Sequence, residues 1–292
     1  MPRPWHHCTS RGITETTGSC GWWKIVQPIG RRTLLHAMIA AATVAAASGC
    51  TAGGLPEMSP FRWTTSWESA RLTARPPAAE SPPAAPAPGV RVLDLGPGPA
   101  VLVRVPTPVG DPVRPYRLVL ALHGAGGNAR QGLAALLPFA DTHQLLLLAP
   151  SSHDSTWDVI TQGEWGTDVH RIDQALAQVV AGYRIDPSRL AISGFSDGAS
   201  YALSLGLANA DLFTHIIAFS PGFLLPAPRV GTPHVYISHG RSDTVLPIDQ
   251  TTRRIVPRLQ AEKIPTEVHE FDAGHIVPAD IAADAVRRLT TQ

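Results

Sequence analysis

A serine stands between two glycines in Gly194-Phe195-Ser196-Asp197-Gly198. A hydroxyl held on so tight a turn can attack an electrophilic carbonyl, provided that its neighbours two positions away lack side chains. Serine is a poor nucleophile at neutral pH, so a base must take its proton, and a carboxylate must fix that base in one tautomer. Where such a turn opens a helix on a parallel sheet, the acid follows the serine in chain order and the base comes last. Two later stretches fit. Residues 235–238 read as a strand running into His239-Gly240-Arg241-Ser242-Asp243, and residues 267–271 as a strand running into Asp272-Ala273-Gly274-His275. Asp243 is therefore the expected acid and His275 the expected base. Asp249 is a rival acid, but it falls inside the helix expected from Pro247. His269 points from within a strand and is expected to be structural, and His143, His170, His215, His234 and His239 are read as surface or packing residues.

A tetrahedral oxyanion also needs backbone N–H donors. A buried apolar strand, 118–122, runs into His123-Gly124-Ala125-Gly126-Gly127-Asn128, where glycines let the backbone approach a substrate oxygen. The amides of Ala125 and Asp197 are the expected donors, with Gly124 in reserve. The same stretch formally satisfies a dinucleotide fingerprint. That reading expects an acidic residue at the tip of the next strand, which instead ends Leu148-Ala149-Pro150, and it leaves the serine turn unexplained.

These residues need a scaffold. Short apolar runs at 90–95, 100–105, 116–122, 145–149, 190–193, 215–219, 234–238 and 266–271 alternate with helical patterns at 131–143, 168–183, 198–210, 247–262 and 278–290. That alternation predicts an α/β fold with about eight mostly parallel strands and helices on both faces. The first two strands have no helix between them and should run antiparallel. Residues 220–232 join two strands in too few residues for a large cap domain. The other possible cover is 151–166, which contains Trp157. With His123, Trp157 is a candidate substrate-binding residue: it either stacks on an aromatic acyl group or packs the loop.

Together these motifs resemble the phospholipase/carboxylesterase branch of the α/β hydrolases, near feruloyl-esterase and polyhydroxyalkanoate-depolymerase-like enzymes. They are Leu122-His123-Gly124-Ala125-Gly126-Gly127-Asn128, Gly194-Phe195-Ser196-Asp197-Gly198-Ala199, His239-Gly240-Arg241-Ser242-Asp243 and Gly274-His275. The resemblance covers roughly residues 116–292. It implies the α/β-hydrolase fold, ester hydrolysis through a Ser–His–Asp triad, no cofactor and a small-molecule ester substrate. Peptide or amide hydrolysis by the same triad, and a non-catalytic binding protein on this scaffold, are the competing expectations.

The rest of the 292-residue chain divides by composition. Residues 1–50 resemble an export signal: Arg31-Arg32-Thr33-Leu34-Leu35 precedes an apolar run ending in Ala47-Ser48-Gly49-Cys50. The twin arginines point to export of a folded protein, and the terminal Cys50 to a lipidation site. The expected place is periplasmic or cell-surface, as a lipoprotein held to a membrane through Cys50. Residues 51–88 are rich in Pro and Ala and read as a tether, and 89–292 as the catalytic domain. All three cysteines lie at or before Cys50, so the domain has neither disulfide nor thiol nucleophile. A net charge of +1, with no basic run, excludes a nucleic-acid partner. No His/Asp/Glu grouping has metal-ligand spacing, and no protein partner is evident.

Overall fold

The computed structural model describes residues 66–76, 87–108, 114–228 and 230–291. The export signal with Cys50, and much of the segment read as a tether, lie outside the described residues. Eight strands are present: β1 (Gly89–Leu93), β2 (Val101–Val105), β3 (Tyr116–Leu122), β4 (Leu145–Pro150), β5 (Ile185–Phe195), β6 (His215–Phe219), β7 (His234–Gly240) and β8 (Thr266–Phe271). The helices are α1 (Ala129–Ala134), α2 (Ala140–His143), α3 (Asp158–Thr161), α4 (Thr167–Gly182), α5 (Asp197–Ala208), α6 (Thr252–Ala261) and α7 (Ala279–Thr291).

One sheet holds all eight strands in the order β1-β2-β4-β3-β5-β6-β7-β8. The β1–β2 and β2–β4 pairs are antiparallel, and every later pair is parallel. Continuous apolar runs in β3 and β4 follow from this, because a central parallel strand is covered on both faces. Alternate residues sort cleanly. Leu118, Leu120 and Leu122 join Ile192, Tyr201 and Leu259 in one core layer, whereas Val119 and Ala121 join Ala282, Val286 and Leu289 in the other. Thus α4, α5 and α6 cover one face, and α1 and α7 the other. Each parallel strand delivers its carboxyl end to the same edge of the sheet, where loops can assemble a site.

β5 starts five residues before its expected limit and α3 was not expected, and three further elements differ from the sequence expectation. The helix expected over 131–143 is broken into α1, a 3-10 turn at Leu137–Phe139 and α2, with Pro138 opening the middle piece. Proline cannot donate to the preceding turn, so the helix restarts there. The helix expected from Pro247 begins as a 3-10 turn, Ile248–Gln250, and becomes α6 only after Thr251. The third difference lies in the proposed tether. Residues 66–76 pack on the domain: Ala70 and Leu72 are buried, and a 3-10 turn, Trp67–Ala70, opens the segment. Asn209 accepts from the Leu72 amide and donates to the Ala70 carbonyl, both at 2.8 Å. Asp173 takes the amides of Thr73 and Ala74, and Asp211 pairs with both Arg71 and Arg75. These 11 residues behave as a strap on α4 and the end of α5, because their backbone polar groups find side-chain partners there.

The turn between β1 and β2 has an unusual centre. Arg171, from α4, is buried and donates to the carbonyls of Leu95, Gly96, Pro97 and Pro99 at 2.9–3.3 Å.

Candidate active site

Ser196 sits where β5 meets α5, with φ 58° and ψ −120°. A non-glycine residue reaches positive φ only against steric cost, so the surroundings must enforce it. Both flanking glycines are needed. A Cβ on Gly194 would collide with the Gly198 carbonyl, and a Cβ on Gly198 would come within 2.6 Å of the Leu122 carbonyl. The Ser196 amide donates to Phe219 O at 3.0 Å, anchoring the turn to β6.

Gly124 lies against the serine. A Cβ there would meet Ser196 Cβ at 3.2 Å and Phe195 O at 3.3 Å, so the loop after β3 and the nucleophile turn share one corner. Ala125 follows in that loop, and Asp197 is the first residue of α5, at its positive dipole end. The next two amides are already committed, Gly126 to Ser155 O at 2.6 Å and Gly127 to Gly124 O at 3.0 Å. Burial pushes the Asp197 carboxyl above its ordinary range, against the pull of Thr156 and His275.

Asp243 and His275 meet. The His275 Nδ1 lies 2.6 Å from Asp243 Oδ2. The carboxylate can only accept, so Nδ1 carries the proton and Nε2 presents its lone pair. Asp243 Oδ1 accepts the amides of Val245 and Leu246, both at 2.9 Å. Burial alone would raise this carboxyl, but hydrogen bonds from His239, His275 and the Leu246 amide outweigh it and hold Asp243 below the usual carboxylate range. The two loops are sewn together by Arg241 N to Phe271 O at 2.8 Å and Ser242 N to Ala273 O at 3.0 Å. Gly240 permits that approach, since a Cβ there would strike the carbonyls of Ala273 and Gly274. The His275 ring packs at a tilt against Phe195, centroids 4.6 Å apart, which carries the histidine to the residue beside Ser196. The rival Asp249 is taken up by Arg253 at 2.8 Å on the surface. His269 stacks on Tyr236 within the sheet.

Two sequence expectations are corrected. Of the two alternatives for Trp157, packing is the one observed, so it is withdrawn as a substrate-binding candidate: its side chain is fully buried, its indole N–H donates to His123 O at 2.9 Å, and its ring packs on His123 and Tyr201. His123 is also buried rather than available to a ligand. Its Nε2 accepts from the Ser152 amide at 3.0 Å, so its Nδ1 donates to Gly124 O at 2.8 Å. Burial lowers the His123 pKa and keeps the ring neutral. Both side chains therefore hold the loop after β3 from behind. Beneath them Asp158 and Asp168 accept each other's backbone amides at 2.8 and 2.9 Å, fixing the segment that follows β4. Sequence reasoning gave His239 no part in the site, yet it is fully buried against Asp243, with 3.2 Å between Nε2 and Oδ2. Its spacing of four residues before the acid was the available signal.

The phospholipase/carboxylesterase family matches residues 167–286, a span containing Ser196, Asp243 and His275. A probable feruloyl esterase C of Aspergillus niger is 29% identical over 147 residues, covering 48% of this chain and 53% of that protein. The chain thus spans about half the length of the curated relatives it matches. Among solved structures, esterase PE8 is 26% identical with a TM-score of 0.52, covering 61% of this chain and 93% of that one. A fluorophosphonate-binding serine hydrolase of Staphylococcus aureus shares the fold at 14% identity, with a TM-score of 0.55 over 70% of this chain and all of that one. The chain is an α/β hydrolase by fold, and it is similar to the phospholipase/carboxylesterase family across residues 167–286.

Proposed function

We propose that the protein is a serine esterase in which Ser196 attacks the ester carbonyl and His275 first accepts, then returns, the proton. Asp243 orients His275 and stabilises the imidazolium, and the amides of Ala125 and Asp197, backed by Gly124, stabilise the oxyanion. The observation that carries this reading is the 2.6 Å bond from His275 Nδ1 to Asp243, beside a serine held at φ 58°. That bond fixes Nε2 as the nitrogen free to act as base. The names of the relatives, feruloyl esterase C and esterase PE8, support carboxylic esters as the substrate class.

Small, soluble or aryl esters suit the site best. The connection from β6 to β7 carries no helix or strand among its described residues. Apolar Val245 and Ile276 stand exposed next to the acid and the base. A fluorophosphonate should label the Ser196 peptide of the wild type, and Ser196→Ala should lower turnover of short-chain and hydroxycinnamoyl esters by about five to six orders of magnitude. A folded protein that neither labels nor turns over any ester overturns the reading.

We further propose that residues 1–50 direct export and that Cys50 is lipidated, with part of residues 51–88 joining the anchor to the domain. Cys50→Ser should move the protein from the membrane fraction to the soluble one. An unchanged distribution rejects the anchor.

A further inference from the structure

His239 lies four residues before Asp243, and its ring is completely buried. Its Nε2 is 2.8 Å from the carbonyl of Leu246 and 3.2 Å from Asp243 Oδ2. A carbonyl only accepts, so Nε2 carries a proton and shares it between that oxygen and the carboxylate. On the far side of the ring, Nδ1 lies 2.7 Å from the Thr252 hydroxyl at the start of α6. In the neutral ring Nδ1 is an acceptor, so Thr252 donates to it. Leu246 closes the circuit, because its amide donates to Asp243 Oδ1 at 2.9 Å while its carbonyl receives His239.

Each oxygen of Asp243 is therefore gripped twice. Oδ1 has the amides of Val245 and Leu246, and Oδ2 has His275 on one side and His239 on the other. The backbone amides fix one oxygen but leave the plane of the carboxylate to be set by what holds the second. From these contacts we infer that His239 is a positioning residue, which holds Asp243 Oδ2 in line with His275 Nδ1 and is itself held by Thr252. His239 touches no substrate and acts only through Asp243. Without it the carboxylate swings about its amide-bound oxygen, the bond to His275 lengthens, and the imidazolium formed during reaction is less well stabilised.

This inference rests on the proposed esterase mechanism, and its test separates the two. Wild type, Ser196→Ala, His239→Phe, His239→Gln and Thr252→Val would be compared on one soluble ester, with folded, reactive enzyme counted by fluorophosphonate titration. His239→Phe should lower kcat about ten- to hundredfold with KM within about twofold, the scale of one hydrogen bond to a charged group. The acid limb of its kcat/KM–pH profile should move to lower pH, because a looser carboxylate supports the His275 proton less. His239→Gln keeps an N–H near Nε2 and should recover most of the loss. Thr252→Val keeps the shape, removes the hydroxyl, and should show a smaller loss in the same sense.

A purely structural role would change the titratable fraction and leave kcat per labelled site and the acid limb where they were; that result overturns the inference. Should His239→Phe fail to fold, Thr252→Val decides, and wild-type values of its kcat and acid limb reject the inference. If wild type neither labels nor hydrolyses the ester, the mechanism itself falls. If wild type is active, Ser196→Ala is dead and the His239 variants are unaffected, only the positioning role falls.

Discussion

Neighbouring strands β6 and β7 each carry a buried histidine, at opposite ends of the sheet, and the two rings face different surroundings. His215 opens β6 at the amino edge. Its Nδ1 donates to the Thr214 hydroxyl, which already gives its own proton to Leu190 O, and its Nε2 is buried with no partner among the described residues. Burial, with His234 stacked at 5.3 Å and Arg189 nearby, lowers its pKa to about 4. His239, near the carboxyl end of β7, has partners at both nitrogens, one of them the carboxylate of the triad. Burial alone thus says little about a histidine's work. The group each nitrogen meets decides: a ring left with an orphan atom and no anion to meet it is a neutral wedge, and one saturated beside an anion is a brace.

Substitutions at the two edges should therefore separate turnover from stability. The largest effect belongs to Asp243→Asn, which should cut kcat about a thousand- to ten-thousandfold. Its amide can donate to His275 Nδ1 and so favours the wrong tautomer. Gly240→Ala comes next. With a methyl group driven into two carbonyls, it should cost about 2–4 kcal/mol in chemical denaturation and lower turnover as the Asp243 and His275 loops part.

At the amino edge, His215→Phe should leave kcat unchanged and alter only the pH dependence of stability. Between the unfolded value of 6.5 and about 4, the unfolded chain binds a proton that folded His215 refuses. Wild-type unfolding free energy should fall as pH drops through that window, and the substituted protein should lose this part of the slope. A fall in kcat with His215→Phe would break the contrast between the edges. The smallest effect is expected in the strap. The Arg71 hydrogen bond is the main cause that lowers the Asp211 carboxyl to about 2, with Arg75 adding to it against partial burial. That stability is present above the ordinary carboxylate range and is lost as pH falls from about 4 toward 2. The pair is half exposed, so Asp211→Asn should cost less than about 1 kcal/mol, read at neutral pH.

The parts legible in the sequence are those whose logic is local. The nucleophile turn is a steric pattern five residues long, the strands around it are unbroken apolar runs, and β6, β7 and β8 each begin and end near the expected limits. Asp243 and His275 lie 32 residues apart, but both follow a recognisable strand, so their meeting could be anticipated from order alone. Trp157 could not be placed that way. A tryptophan in a polar loop reads the same whether its ring faces a pocket or His123 and Tyr201, and only packing decides. The strap was hidden for a related reason. Its sequence resembles a linker because its partners, Asp173, Asn209 and Asp211, are 99 to 140 residues away. The break at Pro138 was missed although its signal was present, since proline inside a helical pattern marks a restart and the expected helix ran straight through it.

Arg171 makes the β1–β2 edge of the sheet depend on α4, whose guanidinium comes 72 to 76 residues later in the chain than the carbonyls of Pro99 and Leu95. Four carbonyls from residues 95–99 converge on one guanidinium, much as a crown ether converges on a cation, and the guest is supplied by the chain itself. Four carbonyl dipoles converging without a charge at the centre would repel one another, so the turn has no reason to close in that shape before α4 arrives. The β1–β2 hairpin, first of the strands to be made, is in this sense a casting whose mould is delivered later.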